Sequence, residues 1–278
     1  PYSSFFVPFN LLSRSYAYTA DNKRYEQFSY SYYGAVVHRT GLGFCGFEKI
    51  KTQNDISQTV SEEFHDPQRF GVTTKTVTPK ETVDYWYSFD SFSNKKNNPR
   101  LTRLEKMNGL TGILQISAYG YDLYNNPVGE AHIFSDNSPE TYVVRNYQNT
   151  INSSFYLPGQ LMKSEIRKTR GGMSWTTSEV FTYQDYHKPS SKVNYVGDNK
   201  ESETRWEYDA HGNMISEKSA PYEAQNFVGS TYTYDHSGRY LVSRTNALGQ
   251  TTSYSNYDKW GNALTITDFK GRKTIGSA

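Results

Sequence analysis

Five kinds of residue in this chain have the chemistry for a site: a glycine-rich stretch, a trio of acids, six histidines, one cysteine and a series of spaced aspartates. "GLGFCG" (41–46) fits G-x-G-x-x-G and follows the apolar "AVV". Dinucleotide binding needs a helix directly after such a loop, because the helix N-terminus holds the pyrophosphate. The following "FEKIKTQNDI" has no helical apolar stripe, so the stretch reads as a turn or bulge between aromatic strands, and no cofactor is expected. Cys45, between Phe44 and Gly46, reads as small filler rather than a nucleophile. Glu62, Glu63 and Asp66 have the residue types of a glycosidase, whose two carboxyls face each other across a cleft. As strand neighbours, however, Glu62 and Glu63 point to opposite faces. The histidines (38, 65, 132, 187, 211 and 236) show neither H-x-x-x-H nor H-E-x-x-H, so no metal site is expected. No G-x-S-x-G elbow is present, and no catalytic residue is assigned.

The aspartates carry the strongest pattern. "YDAHGN" holds Tyr208, Asp209 and Gly212; "YDHSG" holds Tyr234, Asp235 and Gly238; "YDKWGN" holds Tyr257, Asp258 and Gly261. Asp235 follows Asp209 by 26 residues and Asp258 follows Asp235 by 23. Upstream, "YDLYNN" places Tyr121 and Asp122 before Asn125, which tolerates the left-handed backbone that glycine otherwise supplies. "YQDYHKPSSKV" brings Asp185 in as a variant unit, and half-repeats stand at "NALGQTT" (246–252) and "DFKGRKT" (268–274). Converging aspartates would suit Ca²⁺, which takes six to eight oxygens. The local alternative is preferred: Asp at the first turn position accepts the N–H two residues on, and Gly three residues later takes positive φ.

These turns must be held by strands. The aromatic pairs Trp206/Tyr208, Tyr232/Tyr234 and Tyr119/Tyr121 are each two residues apart, hence on one strand face, and Ile215, Leu241 and Leu264 follow the turns as aliphatic anchors. Turn signals every ten to thirteen residues over the last third predict short antiparallel strands. Composition agrees. Of 278 residues, 35% are hydrophobic but 16% aromatic, with 25 Tyr, and mean hydropathy is −0.79. Aromatic content argues against disorder, and Tyr, Thr, Val and Phe suit half-buried strands. The length allows a sizeable core. A net charge of +2 leaves no footprint for nucleic acid or an anionic membrane, and the polar loop "SFSNKKNNPR" (91–100) reads as solvated. No apolar run is long enough for a membrane-spanning helix. "FFVPFNLL" is too short for a leader, is interrupted by Pro8 and lacks a basic flank, so any export leader is expected to lie upstream. The expected organisation is a β-rich leading segment (1–105) continuous with a repeat sheet (106–278).

The Tyr-Asp-x-x-Gly-Asn units resemble those of the RHS/YD-repeat proteins. So does the leading stretch His38, Arg39, Gly41, Gly43, Phe44, Gly46 and Phe47, together with "FHDPQRFGV" and "YLPGQLMKSEIRKTRGGMSW", which are similar to the gut-bacterial branch. Many members have Arg where Leu42 stands, and no role is carried over there. The resemblance implies an all-β fold: a curved, spiralling antiparallel sheet of repeated hairpins, an open segment of a shell. It implies an exported bacterial protein, extracellular or on the cell surface. It also implies a longer natural chain whose shell encloses or presents a toxin-like polypeptide, with this chain stopping in mid-repeat. The partners would be the rest of that chain or an enclosed polypeptide, with exposed sheet edges open to self-association. The first expectation is therefore a non-enzymatic structural segment. The alternative is a glycan- or protein-binding module using Trp206, Tyr232 and Trp260, unless those rings simply pack on one another.

Overall fold

The computed structural model describes residues 2–4, 11–41, 43–89, 98–152, 154–185, 188–221, 224 and 226–276. Position 42, His187 and most of the polar loop at 91–100 lie outside the described residues, as does the centre of the Asp185 unit. The chain is all-β. Among the described residues the helical structure is one 3₁₀ turn, Pro67–Arg69, capped by Asp66, whose Oδ1 accepts from the Gln68 N–H at 3.1 Å. Alternating Tyr/Thr/Val patterns and glycine- or Asx-closed turns leave no 3.6-residue stripe on which a longer helix could pack.

The chain divides into two units, 1–142 with 168–173 and 143–167 with 174–278. In the first, β1 (Tyr2–Ser4) and β2 (Arg14–Tyr18) pair end to end along one side of β3 (Arg24–His38). On its other side β3 pairs with β4 (Gly43–Asn54). The order then runs through β5 (Thr59–Asp66), β6 (Val72–Val77), β7 (Glu81–Ser88), β8 (Arg100–Asn108), β9 (Leu114–Tyr121) and β10 (Pro127–Phe134), each antiparallel to the next. β11 (Glu140–Ile151), β12 (Tyr156–Arg170) and β13 (Met173–Asp185) contribute residues to both units. In the second unit β13 is followed by β14 (Lys188–Val196), β15 (Asn199–Tyr208), β16 (Met214–Pro221), β17 (Val228–Tyr234), β18 (Leu241–Thr245), β19 (Thr251–Tyr257), β20 (Ala263–Thr267) and β21 (Lys273–Ile275). These too form an antiparallel meander in chain order.

The two faces of the meander in the second unit differ in chemistry. One carries Trp206 opposite Glu217, Tyr232 opposite Arg244 and Tyr254 opposite Ile266. The other carries hydroxyls in rungs: Thr231, Thr245 and Thr251, then Thr233, Ser243, Ser253 and Thr267. Hydrogen bonds run along these rungs, 2.7 Å between Thr233 and Ser243 and 2.8 Å between Thr245 and Thr251. Cross-strand pairs of this kind are what hold a sheet that has little beneath it.

The sizeable core that the length allows is not formed. Among the described residues the buried apolar side chains are Val36 and Val83 in the first unit and Val143 and Ala220 in the second, beside Pro67 in the 3₁₀ turn. A β-meander with one layer of side chains on each face has no second layer to bury them against, so lateral packing along the sheet replaces an interior.

Candidate functional site

The repeated turns are the best-defined local constructions in the chain. In all but the Asp235 turn the first residue forms a closed backbone loop with the residue four on, and in each it uses its side chain inside the loop. Asp209 N–H donates to the Asn213 carbonyl at 2.9 Å, and Gly212 N–H to the Asp209 carbonyl at 3.1 Å. Asp209 Oδ1 accepts from the His211 and Asn213 N–H groups, both at 2.9 Å, while Oδ2 accepts from Asn213 Nδ2 at 3.1 Å. Asp258 repeats this with Trp260 and Asn262, and Asp122 with Tyr124 and Asn126. The half-repeats use the same device. Asn246 Oδ1 accepts from Leu248 and Gln250, and Asp268 accepts from Lys270 and Arg272. Asp235 spans one residue more, accepting from the N–H groups of Arg239 and Tyr240 and from Ser237 Oγ. The fourth position must turn left-handed. Gly212 has φ 89°, Gly261 φ 89°, Gly238 φ 68°, and Asn125 takes φ 68° where the upstream unit lacks the glycine.

These bonds favour the ionised carboxylates. Asp235 is lowered to about 2, chiefly by the Tyr240 N–H and then by the Ser237 hydroxyl. Asp258 is lowered by the side chain and backbone N–H of Asn262, and Asp268 by the Arg272 N–H, which outweighs its desolvation. The carboxylates of Asp209, Asp235 and Asp258 each accept three hydrogen bonds from within their own turns, the use the local reading gives them. Among the described residues no three His, Cys, Asp or Glu converge on a metal position.

The tyrosines before the aspartates are partly withdrawn from water. Burial raises the pKa of Tyr121, Tyr208, Tyr234 and Tyr257, and likewise that of Tyr87 and Tyr183. Several reach a carbonyl of the preceding strand. Tyr121 Oη donates to Leu101 O at 3.0 Å, Tyr183 Oη to Leu161 O at 2.7 Å, and Tyr257 Oη to Leu241 O. Neighbouring turns also touch. Asn213 Nδ2 donates to Gly238 O at 2.7 Å, and Tyr240 stacks on Tyr257 with centroids 4.5 Å apart. Sequence reasoning missed three things: the closing residue four after the Asp, the tyrosine-to-carbonyl bond and the turn-to-turn contact. The first had a signal, since Asn, Gln or Arg follows the glycine in the units led by Asp209, Asn246, Asp258 and Asp268.

The other chemistry-bearing residues lie apart from these turns. "GLGFCG" leads into strand β4, with Gly43 at φ 70° and Gly46 at φ 108°, so no helix N-terminus stands where pyrophosphate would sit. Glu62 pairs with Lys49 at 3.2 Å, Glu63 lies 3.8 Å from His65, and Asp66 caps the 3₁₀ turn. A Ser–His–Glu alignment that the sequence did not suggest occurs on β9 and β10. Ser117 Oγ is 2.8 Å from His132 Nδ1, and His132 Nε2 is 3.6 Å from Glu130. Ser117 is 1% exposed, so its oxygen meets no substrate in this conformation. Of the aromatics, Trp206 is half-buried with Nε1 donating to Glu217 at 3.1 Å. Tyr232 is half-buried with the Arg244 guanidinium 5.8 Å from its ring centre. Trp260 stands 78% exposed at a turn tip. No helix of the described residues is long and apolar enough to cross a membrane.

Fold and turns together define a repeat protein of antiparallel β-hairpins, each closed by an Asp- or Asn-led turn. More particularly, the chain carries the RHS repeat: residues 234–273 match that family. The crystal structure of TcdB2-TccC3 superposes with a TM-score of 0.63 at 9% identity, and that of TcdB2-TccC3-Cdc42 with 0.66 at 8%. TcdB2-TccC3 without its hypervariable C-terminal region gives 0.64 at 9%. Each match covers 90% of this chain but only 20–21% of the other, so this chain spans about a fifth of their length. At such identity the likeness is one of fold. No curated protein matches the sequence at a significant level.

Proposed function

We propose that this chain is a structural segment of a secreted or surface RHS-repeat protein of bacteria, contributing part of a β-shell that encloses or presents another polypeptide. The observation that carries the reading is the repeated turn, in which Asp209, Asp235 and Asp258 spend their carboxylates on their own backbone. Groups used this way build sheet and leave the work to what the sheet surrounds. The matched repeat at 234–273 and the fold likeness over 90% of the chain support it. In this reading residues 1–105 lead into the repeat sheet at 106–278, and the chain itself performs no reaction. The test is protease protection in the protein purified from its natural source. A second polypeptide segment should resist cleavage until the repeat segment is unfolded with denaturant. Cleavage of every co-purifying segment at the rate of the free polypeptide would sink the proposal.

A second reading, glycan recognition, draws on Trp260 alone among the three aromatics, because it is the exposed one, with the Lys259 ammonium 5.1 Å from its ring centre. Saturable quenching of its fluorescence by oligosaccharides, lost in Trp260→Ala, is the result that would favour it.

A further inference from the structure

One hollow in the second unit lies away from the turns. It has a volume of about 270 Å³ and opens on the strands β12 to β15. Ile166 and Val196, 39% and 50% exposed, give it a hydrocarbon wall. Thr177, Glu179, Asn194 and Glu201 give it a polar rim. The pairing of β14 with β15 explains how Glu201 comes to be there. Asn194 faces Ser202 and Tyr195 faces Lys200, so Glu201 is the extra residue of a β-bulge, a device that re-aims one side chain out of strand alternation. The charges in the hollow are unequal. Glu179 is matched by Lys192 at 3.0 Å, and the Asn194 amide is taken by Ser202 at 2.8 Å. Glu201 is exposed and enters no ion pair among the described residues.

We propose that this hollow receives a lysine or arginine side chain of a polypeptide lying against the sheet. The inference rests on the polypeptide-enclosing function proposed above and names the chemistry of one contact. Such a side chain has an aliphatic stem that lies along Ile166 and Val196 and a cationic head that meets the unmatched carboxylate of Glu201. The size is right for one long side chain. A neutral sugar would hydrogen-bond the carboxylate but gain nothing from its charge, so salt dependence and the loss in Glu201→Gln separate the two ligands.

The test is methyl NMR of the 278-residue chain, titrated with capped Gly-Lys-Gly and Gly-Arg-Gly. Capped Gly-norleucine-Gly and glucose are the controls. The expected result is saturable shifts of the Ile166 and Val196 methyls with both basic peptides, weakened about fivefold in Glu201→Gln and weakened again at high salt. Glu201→Gln removes an exposed charge only, so unchanged backbone spectra will show that the fold is intact. No response to the basic peptides, an equal response to norleucine, a response undiminished in Glu201→Gln or a response to glucose alone would each overturn the proposal. Because the titration needs no enclosed segment, its failure beside a positive protease-protection result removes this contact and leaves the enclosing role standing. A basic-peptide response beside failed protection leaves the contact and removes the shell.

Discussion

At the scale of single residues, aspartates do the most. Asp235 is held to about 2 by the N–H of Tyr240, the Ser237 hydroxyl and the N–H of Arg239, against an ordinary value of 3.8 in the unfolded chain. A lowered folded value means the group stabilises the fold above its unfolded pKa and loses that contribution as pH falls through the folded one. Thermal melts should therefore decline from about pH 5 down to about pH 2, and Asp235→Asn should flatten that decline. A melting curve as steep in the variant as in the parent would count against the turn as the acid-sensitive element. Glycines act by two separate mechanisms. A Cβ on Gly229 would sit 1.9 Å from the Glu217 carbonyl, backbone against backbone. Gly229→Ala is expected to cost about 3 kcal/mol, the upper range of overpacking. Gly249 has open space around it but φ +74°, so Gly249→Ala should cost only about 1–2 kcal/mol of left-handed strain. Urea denaturation of both variants checks the order.

At the scale of the hairpin, the tyrosine hydroxyls tie each strand to the one before. Tyr183→Phe removes the 2.7 Å bond to Leu161 O and should cost about 1 kcal/mol by denaturant titration. The burial that raises Tyr87, Tyr121, Tyr183, Tyr208, Tyr234 and Tyr257 has an alkaline consequence. A raised folded value stabilises below the unfolded pKa and fails as pH climbs through the folded one, so stability should drop above about pH 10. Ultraviolet titration of the phenols should show their ionisation lagging behind that of free tyrosine. The hairpins were also the most legible level of the sequence. Period-two aromatics and the Asp-x-x-Gly spacing specify strand and turn through local sterics alone, and the turns at Asp209, Asp235 and Asp258 are local structures. What one strand touches on the next depends on register. The Tyr257–Leu241 bond, the Asn213–Gly238 bond and the Ser117–His132 alignment join residues 15 to 25 positions apart, and no local pattern announces them.

At the scale of the whole chain, the length allowed a sizeable core, and among the described residues few apolar side chains are buried. Length and aromatic content are compatible with either arrangement, because a tyrosine in a ladder and a tyrosine in an interior read alike. Stability then comes mainly from neighbour-to-neighbour pairing, as in other repeat proteins. Calorimetric unfolding should be broader than two-state, with a van't Hoff enthalpy below the calorimetric one. Gly229→Ala should speed amide exchange in β16 to β18 and leave β3 to β5 unchanged. A single sharp transition with uniform exchange would refute this. The bulge that turns Glu201 into its hollow belongs to this scale too, since a single inserted residue is invisible without the partner strand.

The self-contained turn has a genetic consequence. Asp258 needs nothing for its turn beyond the segment it closes, from Trp260 to Asn262. A pair of strands with its turn is therefore a portable part. Unequal recombination can add or remove such parts two strands at a time, leaving the bonds within each surviving Asp-led loop complete. Copy number becomes a variable that selection can tune without redesigning any one part, as when a mason lengthens a wall with the same brick.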